Sequence, residues 1–390
     1  MDVTAIICEY NPFHKGHEYQ LNKVKELCPD TKIVSIMSPN FVQRGRPAVF
    51  DKFVRGECAV RCGADLAISM PQVFAILSAE GFAEGGVRLA KKLGATALAF
   101  GVETDNLERL AKIAGILLSE EFEGALQKEL TGSPFLSFPA VRQKALEAFV
   151  GKDDSAIIST HNNILAVEYI KASMRYCPDM KLIPIKRVGK GYGDLSESGE
   201  LLSASAIRNV MKEKREWQHA VPKGSLRAVN SAIMLDGEKY DSLLFSALSV
   251  GEYDRILWAT NSKELANTIS TAIKSSGDYK SFREKLSRKK FPETRIDRSL
   301  ISFLLGIKGD EYMHSDPEYA TLLAMNGNGR SIVKQSDIPI VSKFGEAKKL
   351  FGKQIEKERL ADRIWARCTD IPDGEKYFID KKPYIAEEVI

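Results

Sequence analysis

Short β-branched runs alternating with amphipathic helical stretches fill the first half of the chain, and this alternation limits the possible folds more than any other feature of its 390 residues. Apolar runs of four to eight residues bounded by turn residues read as strands buried on both faces, and the 3.6-residue periodicity between them reads as covering helices. Six runs fit: Val3 to Cys8, Ile33 to Met37, Leu66 to Ser69, Thr96 to Phe100, Ala156 to Ser159 and Leu182 to Arg187. Strands repeated with helices between them form a parallel sheet wrapped on both sides. From about Gln218 the alternation stops. Helical periodicity then runs through Asp241 to Leu257, Glu264 to Ile273 and Ser299 to Leu305, after a break at Val221-Pro222-Lys223-Gly224. The expected class is therefore α/β, with a Rossmann-like parallel sheet in a first domain over 1–220 and a mostly helical second domain over 221–390.

The chain is longer than one core usually grows, which agrees with two domains. Apolar residues make up 44%, yet no run approaches the roughly 20 residues of a membrane span. The opening Met-Asp-Val-Thr carries no basic leader, so a cytoplasmic protein is expected, without a membrane partner. Its cysteines (Cys8, Cys28, Cys58, Cys62, Cys177, Cys368) form no Cys-x-x-Cys pair, and reduced thiols with no metal site are expected. A net charge of +4 does not itself point to nucleic acid. Between Lys280 and Arg298, however, eight cations face only Glu284, Glu293 and Asp297. Such a stretch suits a phosphate backbone and a solvated helix face equally.

The chemistry concentrates after the first strand. Ile7 to Gln20 reads Ile-Cys-Glu-Tyr-Asn-Pro-Phe-His-Lys-Gly-His-Glu-Tyr-Gln, and Leu21, Val24 and Leu27 continue it at helical spacing. A helix from about His14 would aim its free N–H groups and positive dipole end at the carboxyl edge of the sheet, where phosphate binds. Gly16 would let the helix start approach an adenine or ribose that a side chain would strike. His14 and His17 would then face a triphosphate, their imidazole donors stabilising charge that grows on phosphoryl oxygens when a nucleophile attacks the α-phosphorus. On average residue usage His-x-Gly-His arises about once per hundred chains of this length. Two surface histidines at a helix start are the plainer reading of the same residues.

A second block, Ser203-Ala204-Ser205-Ala206-Ile207-Arg208, follows the last strand. Ser205 is expected to cap a helix there, and Arg208 to fork onto β- and γ-phosphates. Between the blocks, Gly101 would leave room for adenine, Asn162 would read its edge or the ribose, and Arg187 would meet base or phosphate. These residues alone indicate adenylyl transfer to some carboxylate or phosphate.

With Glu9-Tyr10-Asn11-Pro12-Phe13-His14-Lys15-Gly16-His17, then Phe41-Val42-Gln43-Arg44-Gly45, Ser203 to Arg208 and Leu304-Leu305-Gly306-Ile307, the chain resembles the bacterial tRNA(Met) cytidine acetate ligases of the nucleotidyltransferase superfamily along nearly its whole length. The resemblance implies that acetate and ATP form acetyladenylate with release of pyrophosphate. The acetyl group then passes to N4 of the wobble cytidine of elongator tRNA(Met), an RNA and not DNA. It implies an ATP site made of Ile7, Cys8, Glu9, Tyr10, Asn11, Pro12, Phe13, His14, Lys15, Gly16, His17, Glu18, Tyr19 and Gln20, joined by Gly101, Asn162, Arg187, Val188, Ser205 and Arg208. His14 and His17 are its catalytic residues, and magnesium is expected on the phosphates. For tRNA contacts the basic choices are Arg44, Lys289, Lys290, Arg295, Arg298 and Arg330, with Phe41 as an aromatic partner beside Arg44. The family pattern has an acidic residue where this chain has Arg46. Two other readings stay open at this point: an adenylating enzyme acting on a cofactor or protein-borne thiol, and a non-catalytic RNA-binding protein that keeps the fold.

Overall fold

The computed structural model describes residues 1–104, 106–133, 136–187, 202–287 and 291–387, with backbone alone at 161, 344–350 and 375. Five strands lie parallel: β1 (Val3–Cys8), β2 (Lys32–Met37), β3 (Leu66–Ser69), β4 (Ala97–Val102) and β5 (Lys181–Lys186). β1 is central, with Thr4 opposite Ile33 on one side and Ala97 on the other. Nearly every residue of β1 to β4 is buried, which is why they read as unbroken apolar runs. The chain winds from β1 through β2 to β3 and then returns to place β4 on the other side of β1. That reversal opens a crevice at the carboxyl ends of β1 and β4, the usual ligand site of such sheets.

The expected strand at Ala156 to Ser159 is instead a 3-10 turn. Only Ile158 of the four is buried, so the segment lacks the two-sided burial that a strand inside a parallel sheet requires.

Residues beyond 220 also enter the sheet. β6 (Ala320–Met325) pairs antiparallel with β3, and β7 (Ile340–Val341) and β8 (Tyr384–Ile385) flank β6, giving the order β5-β4-β1-β2-β3-β6-β7. The helical part of this half comprises Gly237–Ser249, Tyr253–Thr260, Lys263–Lys274, Tyr279–Ser287 and Glu293–Leu305. Asp241 to Leu257 is thus two helices and not one. No helix among the described residues is long and apolar enough to cross a membrane.

A buried polar network joins the halves beneath the loop 38–48. Lys52 Nζ lies 2.6 Å from Glu358 and 2.8 Å from Asp362, with all three side chains nearly inaccessible. Burial opposes the charge on Lys52, but Asp362 and Glu358 outweigh it and hold the ammonium pKa above its ordinary value. Asn40 donates to Asp362 (2.8 Å), and the Trp365 indole donates to the Ala48 carbonyl (2.7 Å). The loop is therefore anchored at both ends, with Gln43 and Arg44 between.

Candidate active site

After β1 the chain turns through Tyr10 and a cis Asn11–Pro12 bond into the helix Lys15–Leu27, with His14 as its N-cap. The His14 Nδ1 accepts from the Gly16 N–H at 3.0 Å, and the His17 Nδ1 accepts from the His14 N–H at 3.2 Å. This is a capping box in which two imidazoles replace the usual hydroxyl and carboxylate. A ring that accepts at Nδ1 carries its proton on Nε2, so both tautomers are set by backbone amides. The rings stack with centroids 3.8 Å apart. Burial, with Arg187 and Arg208 nearby, lowers the His14 pKa to about 3. Burial and then His14 and Arg187 hold His17 well below its ordinary value. At neutral pH the pair is uncharged and keeps one Nε2–H donor on each ring.

Gly16 serves this pair directly. A Cβ at that position would stand 2.8 Å from His14 Cε1 and 3.0 Å from its Nδ1, so the first collision is with the protein's own imidazole and not with a ligand. Tyr10 and Phe13, each 1% exposed, pack 4.7 and 5.6 Å from the His17 ring and support it from the core. The buried Arg55 adds main-chain support. It donates to the carbonyls of Glu9 (2.6 Å), Ser38 (3.1 Å) and Pro39 (2.5 Å), tying the ends of β1 and β2 together. Nothing in the sequence marked Arg55, because its partners are backbone atoms of separate segments.

These elements open onto a cleft of 1060 Å³, at the upper end of the range for ligand pockets and roomy for more than one reactant. Ile7 to Asn11, His14, His17, Gln20, Gly101, Asn162, Arg187, Ser205 and Arg208 line it. Pro12, Phe13, Lys15, Gly16, Glu18 and Tyr19 do not, and Val188 lies outside the described residues. Asn162 donates to Glu103 (2.7 Å) and accepts from Arg187 Nη1 (3.2 Å), which orients its amide. At Gly101 a Cβ would meet nothing nearer than Arg187 Cγ at 3.7 Å, so this strand end is open to a ligand. Ser205 is not the helix cap. Ser203 accepts from the Ala206 N–H (3.2 Å) and starts the helix Ala204–Lys212, whose Ile207, Val210 and Met211 then point inward. Ser205 accepts instead from Arg208 Nη2 (3.0 Å), while Arg208 Nη1 donates to the Asn11 carbonyl (2.6 Å). The second block is thereby fastened to the first.

The helical half supplies another wall. Gln43 and Arg44 reach the cleft from the loop 38–48, and Arg295, Arg298 and Lys308 reach it from the helix Glu293–Leu305 and the turn after it. The turn at Gly45 (φ +80°) presses on that helix so closely that a Cβ would lie 2.4 Å from the Arg298 main-chain nitrogen. Phe41 is 0% exposed and packs toward Tyr240, so it is a core residue and presents no face to a base. Arg46 turns from the cleft to donate to Asp241 and the Tyr279 hydroxyl, both at 2.7 Å. Its charge thus has an acidic partner in Asp241. Arg330 sits in the helix Gly327–Gln335, whose N-cap Asn326 bonds Asp65 at the amino end of β3. That is the opposite end of the sheet from the cleft. Lys289 and Lys290 lie outside the described residues.

Residues 1–376 match the family model described as HIGH Nucleotidyl Transferase, and the chain belongs to that class of α/β nucleotidyltransferases. It is 31% identical over 96% of its length to the tRNA(Met) cytidine acetate ligase of Acetivibrio thermocellus, covering 97% of that protein. To the tRNA(Met) cytidine acetate ligase of Pediococcus pentosaceus it is 33% identical, covering 98% of this chain and 99% of the relative. Thermotoga maritima TmcAL superposes with TM-scores of 0.91 (apo) and 0.89 (bound with alpha-thio ATP), at 29% identity and 99% coverage of both chains. Within its class, the chain is a member of the tRNA(Met) cytidine acetate ligase family.

Proposed function

We propose that the protein condenses acetate with ATP and transfers the acetyl group to N4 of the wobble cytidine of elongator tRNA(Met) in the cytoplasm. The observation that carries this is the imidazole pair, locked as neutral Nε2–H donors at a helix N-terminus beside Arg208. A scaffold that only bound RNA would have no use for donors so placed. ATP would lie with its adenosine over Gly101, Asn162 and Arg187 and its phosphates before His14, His17 and Arg208. An acetate oxygen attacks the α-phosphorus, the bond to the bridging oxygen breaks, and pyrophosphate leaves. The imidazole donors and helix N–H groups stabilise the charge that gathers on phosphoryl oxygens. The cytidine N4 amine then attacks the acetyl carbon, AMP departs, and the nitrogen loses a proton.

Magnesium belongs to the same proposal. The described residues hold no group of three or more His, Cys, Asp or Glu suited to a metal, so phosphate oxygens and water would carry it. Arg44, Arg295 and Arg298 are the proposed contacts to RNA phosphates.

The test is incubation with ATP, magnesium and radiolabelled acetate, with and without unmodified elongator tRNA(Met). Label on that RNA, dependent on ATP, is the expected result. Pyrophosphate release without labelled RNA would point to a cofactor or protein-borne thiol as acceptor, and neither signal would indicate a non-catalytic protein.

A further inference from the structure

Three cations on the wall supplied by the helical half, Arg295, Arg298 and Lys308, have side chains that make no hydrogen bond or ion pair among the described residues. Neighbours turned away from the cleft are satisfied: Arg283 pairs with Asp297 (2.8 Å), Arg46 with Asp241 (2.7 Å), and Arg255 donates to the Phe303 carbonyl (3.0 Å). Arg295, Arg298 and Lys308 thus keep their charge on the surface a ligand reaches. Burial brings the Arg298 guanidinium down to about 10, with Asp310 opposing and Arg295 adding to the effect. A cation held this way gains strongly from an incoming oxyanion.

Aromatic rings accompany two of these cations. Trp258 is 53% exposed on the helix Tyr253–Thr260, and Lys308 Nζ stands 5.4 Å from its ring centroid. Its neighbours Ala259 and Thr260 line the cleft, and its carbonyl accepts from the Gly309 N–H at 3.0 Å. The other two tryptophans, Trp217 and Trp365, are 8% and 0% exposed, so Trp258 alone keeps its indole out of the core. On the cleft wall itself, the Arg295 guanidinium lies 5.4 Å from the Phe291 centroid. Rings that offer a π-face beside a cation match unpaired nucleotides, whose bases stack and whose phosphates carry charge. A stem would not fit, because its base faces are already covered by their neighbours.

We propose that Trp258 with Lys308, and Phe291 with Arg295, form a stacking strip for unpaired nucleotides flanking the base that enters the cleft, with Arg298 taking a phosphodiester. The strip deepens the proposed function, since it rests on RNA being the second substrate. It assigns recognition of the loop to aromatic stacking and not to charge alone.

The test uses the full chain and an unmodified elongator tRNA(Met) transcript, following tryptophan emission and the KM for RNA. Binding should quench the wild-type emission. Trp258→Phe should abolish that quench while leaving the KM within about two-fold, and Trp258→Ala should raise the KM about ten-fold. Acetate-dependent exchange of pyrophosphate into ATP reports that each variant is folded. RNA binding without a quench in the wild type, or an unchanged KM in a folded Trp258→Ala, would overturn the strip and leave the RNA substrate standing. If Trp258→Ala loses exchange, the quench and its loss in Trp258→Phe decide alone. A wild type that exchanges pyrophosphate but binds no RNA would overturn both the strip and the RNA reading beneath it.

Discussion

Gly16→Ala separates the proposed catalytic role of the helix start from its structural one. The added Cβ would lie 2.8 and 3.0 Å from His14 ring atoms, against an ordinary contact of 3.4–4 Å, so the ring must move by about half an ångström or more. The 3.0 Å bond from the Gly16 N–H to Nδ1 breaks or stretches as it does so. Losing an N-cap costs about 1 kcal/mol. Replacing glycine by alanine in a helix gives back roughly 0.5–1 kcal/mol, so overall stability should change by less than about 1 kcal/mol. Catalysis has no such compensation. Misplacing one preorganised donor costs about 10²- to 10³-fold in kcat, and the 3.8 Å stack means that His17 is disturbed together with His14. Urea denaturation and acetate-dependent pyrophosphate exchange, measured on the same preparation, should therefore disagree: near-wild-type stability with kcat down about 100-fold. A variant that keeps both would refute the claim that Gly16 exists to seat the His14 ring.

Gly101→Val should leave thermal stability unchanged, since no protein atom lies closer than 3.7 Å to the new Cβ, but raise the KM for ATP at least about ten-fold. An unchanged KM would move adenosine elsewhere. Arg46 and Asp241 should show a coupling of about 1 kcal/mol in a double-mutant cycle read by denaturation, modest because both side chains are about one-third exposed. Zero coupling would mean that the pair does not tie the loop 38–48 to the helical half. His14 and His17 titrate lower in the folded chain than in the unfolded one. Their contribution is therefore present above about pH 6.5 and lost as pH falls toward the folded values, by up to roughly 1.4 kcal/mol per pH unit each. A His14→Asn/His17→Asn double variant should lose stability less steeply than wild type between pH 7 and 5, and equal slopes would show that the pair is not held neutral.

The parts legible in the sequence were those whose physics is local. β1 to β4 announce themselves because both faces are buried, leaving unbroken apolar runs, and the His14 to His17 block packs two donors and a glycine into four residues at a helix start. Where a decision depends on distant partners the sequence is mute. Ala320–Met325 is Ala, Thr, Leu, Leu, Ala and Met, mostly helix formers, and becomes a strand only because β3 offers an open edge far back along the chain. Ser203 and Ser205 are equally good caps by composition, and the burial of Ile207, Val210 and Met211 chooses between them. Phe41 looks like a loop aromatic free to stack on a base until the helical half covers it with Tyr240. Arg330 ends a glycine-rich turn like any other until β6 carries it to the far end of the sheet.

The central claim is that the two neutral imidazoles drive adenylation of acetate before any RNA is involved. Exchange of labelled pyrophosphate into ATP, run with acetate and magnesium but no RNA, measures that step alone. Wild type should exchange label only when acetate is present, and His17→Ala should do so about 10²- to 10³-fold more slowly. Wild-type exchange that is absent without RNA, or that persists at full rate in His17→Ala, would contradict it.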